Sequence, residues 1–154
     1  MSIARTKTAD SSEFRKGAKN QISIIIHIDG ASRGNPGYAG AGAIIKNSDG
    51  IILKKLTKYL GIATNNIAEY NALLLGLQYA KKIDVKSVKV YSDSELLVKQ
   101  MNGDYRVKHP EIIKMFRKVM TLSSGFDKII YTHIPRESNR DADLLANMAI
   151  DAGA

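Results

Sequence analysis

The 154-residue chain predicts an α/β fold: a five-stranded mixed sheet, three antiparallel strands followed by two parallel ones, flanked by helices in the order βββαβααβα. Three observations carry this expectation. Three apolar runs near the start are separated by turn signals alone, the pattern of a meander. Two later runs are separated by segments of helical periodicity, so their strands are joined by crossovers and lie parallel. The first and fourth runs, moreover, each end on an aspartate, Asp29 and Asp93, at the carboxyl edge where open α/β sheets bind their ligands.

Each element has a local cause. Residues 21–29 carry the run Ile22-Ser-Ile-Ile-Ile-His-Ile28, apolar enough for a strand covered on both faces. The turn Gly30-Ala-Ser-Arg-Gly-Asn-Pro-Gly37 follows, then a strand over about 40–46, the hairpin signal Asn47-Ser-Asp-Gly50, and a third strand over 51–58. Thr64 is a good N-cap for a Leu- and Ala-rich helix over Asn65–Lys82. A fourth strand spans 86–92, and a helix from Ser94 to Met101 stops at Asn102-Gly103. Pro110 suits the first turn of a helix reaching about Leu122. The last strand covers 128–134, and the last helix begins at Ser138 or Asn139 and ends near Asp151.

Four acids stand out against this frame. Asp29 and Asp93 close strands, Glu69 shares a helical stripe with Leu73, Gly76, Leu77 and Ala80, and Asp143 shares one with Ala146 and Ile150. Carboxylates at the edge of a core are costly unless a cation compensates them, and like charges in one crevice raise each other's pKa. A hard divalent cation resolves both problems. Ligation by acids alone favours Mg²⁺ or Mn²⁺ over zinc, which prefers His and Cys.

Composition bounds the rest. Hydrophobic residues make up 44% of the chain, enough for one core, and the absence of Cys removes disulfides, thiolate metal sites and cysteine nucleophiles. The apolar stretches are too short to span a membrane and the polar N-terminus lacks a signal-peptide core, so the expected location is the cytoplasm, without membrane contact. The net charge of +8 favours a polyanionic partner. Part of it lies in residues 1–20, which lack apolar periodicity and read as a disordered basic tail before a domain over 21–152. A second basic cluster comprises Lys99, Arg106, Lys108, Lys114, Arg117 and Lys118.

With these residues in place, the chain resembles the type 1 ribonucleases H. Asp29-Gly-Ala-Ser-Arg-Gly-Asn-Pro-Gly37 resembles that family's first motif and Thr64-Asn-Asn-Ile-Ala-Glu69-Tyr-Asn-Ala-Leu73 its second. Tyr91-Ser-Asp93-Ser-Glu-Leu-Leu97 resembles the third, and His133-Ile-Pro-Arg-Glu-Ser-Asn-Arg-Asp-Ala-Asp143-Leu-Leu-Ala146 the last. The four occur in the family's order and span nearly all of the chain after the tail.

The resemblance implies an RNase H-like fold, a monomer, and hydrolysis of the RNA strand of an RNA–DNA hybrid with two Mg²⁺ ions, Mn²⁺ being a possible substitute. Asp29 would bridge the ions, Asp143 would serve the ion on the water side, and Glu69 with Asp93 would hold the other. Ser32, Asn35, Thr64, Asn65 and Asn66 would line the minor groove and its backbone, reading shape and the ribose 2′-hydroxyl, with duplex RNA a further candidate partner. Gly34 and Gly37 would let the backbone come close. His133 and Arg136 compete for an assisting role next to the acids. His27 reads as a core side chain and His109 as a cap.

Three departures from the family pattern bear on substrate. Glu95 stands where a neutral Gln is common, Ile62 stands where several relatives carry a phosphate-gripping Arg, and the segment from Gly103 to Pro110 is too short for the basic protrusion of some bacterial members, leaving Arg106, Lys108 or the N-terminal tail to take over its phosphate contacts. Two other classes remain open: a non-catalytic hybrid- or duplex-RNA-binding module of the same fold, and a phosphotransfer domain with Asp29 as nucleophile. The second has no use for Glu69 or Asp143.

Overall fold

A computed structural model describes residues 23–154; the expected basic tail and the first two residues of the expected first strand lie outside them. The elements are β1 (Ser23–Arg33), β2 (Gly37–Asn47), β3 (Ile52–Ala63), α1 (Asn65–Lys82), β4 (Ser87–Ser92), α2 (Glu95–Met101), α3 (Pro110–Ser123), β5 (Lys128–His133) and α4 (Arg140–Gly153), with a short 3₁₀ turn at Arg136–Ser138. The expected order βββαβααβα holds. In the sheet the strands lie as β3-β2-β1-β4-β5, antiparallel among the first three and parallel from β1 to β4 to β5.

The sheet divides its side chains between two helical layers. Ile24, Ile26 and Ile28 of β1, with Val88 and Val90 of β4, face α1 and meet Leu73 and Leu77 in the main core. On the other face α4 crosses β2, where Gly40 and Gly42 leave room for it. α3 packs against the outer side of α1 through Ile112 and Val119. Among the described residues, no helix is long and apolar enough to cross a membrane.

The meander is longer than its sequence suggests. β1 continues past Asp29 to Arg33, β2 begins at Gly37, and β3 runs to Ala63, because the antiparallel register persists from Asp29↔Gly42 to Arg33↔Tyr38 and from Tyr38↔Ile62 to Gly37↔Ala63. Asp29 is therefore within a strand, and the turn shrinks to Gly34-Asn-Pro36. The polar and glycine residues that signal a loop are here spent on a hairpin arm, since backbone pairing outweighs their weak strand propensity. Gly34 and Gly37 serve the hairpin itself: Gly34 has φ +132°, and a methyl on Gly37 would collide with the Arg33 carbonyl.

Candidate active site

Each acid is brought in by a different element. Asp29 projects from β1, Asp93 follows the last residue of β4 directly, and the parallel pairing Ile28↔Ser92 sets the two at one edge of the sheet. Glu69 comes from the second turn of α1. Gly30 permits this: a methyl there would collide with the backbone of Ala68 and Glu69, so only glycine lets the helix rest on the strand. The Thr64 hydroxyl starts α1 by accepting from the Ile67 N–H at 3.2 Å.

Oxygens of Asp29, Glu69 and Asp93 all lie within 4.8 Å of one another. Asp143, from the first turn of α4, stands within hydrogen-bonding reach of Asp29, so the four expected acids do converge. They form two tiers. Asp143 stands outside the group of three, and the Asn147 amide donates to its carboxylate at 3.3 Å.

Crowding shows in their protonation. Asp29, only 6% exposed, is pushed up to about 9 by burial first, then by Asp93, Asp143 and Glu69. Burial likewise lifts Glu69 to about 7, against a hydrogen bond from the Ser94 hydroxyl and with the charge of Asp93 adding to the rise. Asp93 is raised by burial; the guanidinium of Arg136 opposes this and the charge of Asp143 adds to it. Carboxylates this close and this reluctant to ionise fit a set of ligands for a hard divalent cation, whose charge would remove both the burial cost and the repulsion.

The second layer was not singled out from the sequence. Ser94, one residue beyond Asp93, caps α2 by accepting from the Leu97 N–H at 3.2 Å while its hydroxyl serves Glu69. The Tyr70 hydroxyl donates to Gln100 Oε1 at 2.9 Å in the core, fixing α2 against α1. Asn139, 2% exposed, donates from Nδ2 to the Ile28 carbonyl at 2.8 Å, and its own carbonyl receives the Asp143 N–H at 3.1 Å. One residue thus links the backbones of both Asp29's strand and Asp143's helix. A polar residue four before an acid at a helix start was the available signal.

The remaining expected residues divide. An open cleft of about 210 Å³ is lined by Asp29, Gly30, Asn65, Glu69, Asp93 and Arg136. Arg136 thus faces the acids, whereas His133 ends β5 as an exposed residue whose charge reaches Asp93 without lining the cleft. Asn35 Oδ1 accepts from the Asn65 N–H at 3.0 Å and the Ser32 hydroxyl donates to the Ala63 carbonyl at 2.7 Å, so Ser32, Asn35, Thr64 and Asn65 form one rim. Asn66 does not line the cleft, and its Oδ1 is buried. Ile62 is 65% exposed beside Tyr38, Glu95 pairs with Lys99 at 3.4 Å, and Arg106 and Lys108 are exposed. His27 is half-buried against Tyr91, and His109 Nδ1 caps α3 by accepting from the Glu111 N–H.

Comparison with known proteins gives a consistent picture. The family model described as reverse transcriptase-like matches residues 27–149. The chain is 43% identical over 134 residues to a bifunctional protein of Mycobacterium tuberculosis, covering 86% of this chain but 37% of that protein, and so spans little more than a third of its length. It is 39% identical over 153 residues to ribonuclease HI of Halobacterium salinarum, covering 93% of this chain and 77% of the relative. Among solved structures, the N-terminal RNase H domain of the M. tuberculosis protein superposes with a TM-score of 0.83 at 43% identity, covering 85% of this chain and 95% of that one. RNase H1 from a compost metagenome, solved in complex with an RNA/DNA hybrid, gives 0.79 at 41%, covering 84% and 97%.

Proposed function

The chain belongs to the type 1 ribonuclease H family, and on that premise we propose that it hydrolyses the RNA strand of RNA–DNA hybrids, leaving 5′-phosphate and 3′-hydroxyl ends. The observation that carries this reading is the cluster of Asp29, Glu69 and Asp93 in one cleft, with Asp143 within hydrogen-bonding reach of Asp29. Crystallisation of a 41% identical relative with an RNA/DNA hybrid supports the choice of substrate.

The four acids would hold two Mg²⁺ ions, or Mn²⁺ in their place. Asp29, which neighbours Asp143 as well as Glu69 and Asp93, would be the residue to serve both ions. Such ions supply positive charge to the phosphodiester and to its attacking water, which is the chemistry a set of acids alone lacks. The protein's own groups do the rest. Arg136 offers a guanidinium at the cleft wall to an incoming phosphate. Ser32, Asn35, Thr64 and Asn65 present amides and hydroxyls along one rim, where a ribose 2′-hydroxyl finds both donors and acceptors. With Ile62 in place of a cation, phosphate grip on that rim rests on Thr64, and Arg106 with Lys108 supplies charge from the α2–α3 loop. Of the two assisting candidates, Arg136 is better placed than His133.

A single gel tests the proposal: labelled hybrid, duplex RNA, duplex DNA and single strands, each with Mg²⁺, Mn²⁺ or chelator. Cleavage of the RNA strand of the hybrid in the metal lanes alone is expected, and the duplex RNA lanes decide whether that substrate is shared. Asp93→Asn should abolish cleavage with the fold intact. Intact hybrid in every metal lane would overturn the assignment in favour of a non-catalytic binding module.

A further inference from the structure

The basic residues of the folded domain are not spread evenly. β3 contributes Lys54, Lys55 and Lys58 and no acid. The sole acid of α1 is Glu69, already committed to the catalytic cleft, and α3 sets Lys114, Arg117 and Lys118 against Glu111. Ion pairs among the described residues join Arg33 to Asp151, Lys86 to Asp84 and Lys99 to Glu95, none of them on this face.

These three elements also enclose a cleft. It has a volume of about 150 Å³ and is lined by Lys58, Asn71, Leu74, Gln78, Met115 and Lys118 among others. Its lining includes a lysine from β3, a lysine from α3 and two amides from α1, and no carboxylate among the described residues. The register pairs Lys58 with Ala41 and Lys54 with Ile45, so both lysines project to the α1 side of the edge strand, on either side of Leu56. Lys114 lies one helical turn before Lys118 and shares its side of α3. Asn71 follows Glu69 by two residues, about 200° round the helix, so the cleft opens on a different side of α1 from the acids.

We propose that this face, centred on Lys54, Lys58 and Lys118, is a second nucleic-acid-binding surface that takes the phosphodiester backbone of a duplex segment outside the catalytic cleft. Spacing supports a backbone over a compact anion: Lys54 and Lys58 are about 13 Å apart along the strand, the rise of about four nucleotides of one strand. Long lysine side chains with no ion-pair partner among the described residues suit sequence-independent phosphate contacts. The surface would hold the enzyme on long nucleic acid while adding nothing at the scissile bond, and it stands whether or not the cleft cuts hybrids.

The test is fluorescence anisotropy in chelator, where no strand can be cut, with native protein and the triple variant Lys54→Gln/Lys58→Gln/Lys118→Gln. Circular dichroism checks that these exposed substitutions leave the fold unchanged. The variant should bind a duplex several helical turns long roughly tenfold or more weakly near 0.1 M salt, and the slope of log K against log salt should fall by about 2–3, close to 0.9 for each phosphate contact removed. Cleavage of a hybrid just long enough to cover the catalytic cleft should keep its kcat and KM. Unchanged affinity and slope on the long duplex would overturn the proposal, and so would an equal loss on the short hybrid. Loss of polyglutamate binding with duplex binding intact would also overturn it, assigning the face to an acidic protein segment.

Discussion

Glu69→Gln should make the metal-free protein more stable, and only above a defined pH. Burial and the charge of Asp93 lift Glu69 from 4.5 to about 7. An acid whose folded pKa is raised favours folding below its unfolded value and loses that contribution as the pH climbs through its folded value. The window therefore runs from 4.5 to about 7. At pH 8 the full shift, at 1.36 kcal/mol per unit, sets a ceiling of about 3 kcal/mol. Water reaching this half-buried carboxylate screens part of it and leaves about 1–2 kcal/mol. For a domain of this size that is a gain of about 2–8 °C in Tm. Glutamine retains an oxygen for the Ser94 hydroxyl, so the substitution removes charge and little else. Thermal unfolding by circular dichroism in chelator, at steps from pH 4 to 8, measures it. The curves of native protein and variant should coincide near pH 4 and separate through neutrality. A variant no more stable than the native protein at pH 8, or a gain of equal size at every pH, would refute the electrostatic reasoning.

Adding Mg²⁺ or Mn²⁺ should stabilise the native protein, by about 2.7 kcal/mol at a hundredfold excess over Kd, and Asp29→Asn should remove that response in the same melts. Asn139→Ala deletes the bond to the Ile28 carbonyl and should cost about 1–3 kcal/mol in urea unfolding. Metal affinity, measured by calorimetry, should fall as well, because Asp29 and Asp143 lose a common anchor. Gly30→Ala puts a methyl into the backbone of Ala68 and Glu69 and should abolish hybrid cleavage, with unfolding showing a loss of more than about 2 kcal/mol.

Much of the site could be read from the sequence because each acid breaks a local rule. An aspartate in or just after an apolar strand and acids on apolar helical stripes violate patterning that packing otherwise enforces, so they stand out residue by residue. Strand limits were less legible. Gly30 to Arg33 has turn composition, and its strand state depends on pairing with Tyr38 to Ala41, a non-local contact that no short window contains. Asn139 and Ser94 escaped for a related reason: both are ordinary helix-start residues, and their bonds to Ile28 and Glu69 depend on packing across elements.

Glycines decide whether the acids can meet. Asp29 is fixed by a strand, but Glu69 and Asp143 arrive on helices that lie on opposite faces of the sheet, and each helix must come nearer than side chains normally allow. Gly30 admits the backbone of α1 at Ala68 and Glu69. Gly42 does the same for α4: a methyl there would stand 2.8 Å from the Ala142 carbonyl and 2.7 Å from Leu145 Cβ, bracketing Asp143. Asp29 pairs with Gly42 in the sheet and precedes Gly30, so both close approaches lie next to the central acid. The sequence thus places its costliest carboxylate between the two positions where helix backbones can touch the sheet. Charge convergence and backbone proximity are one arrangement: widening either contact would ease repulsion among the acids and, by the same movement, scatter the ligand set.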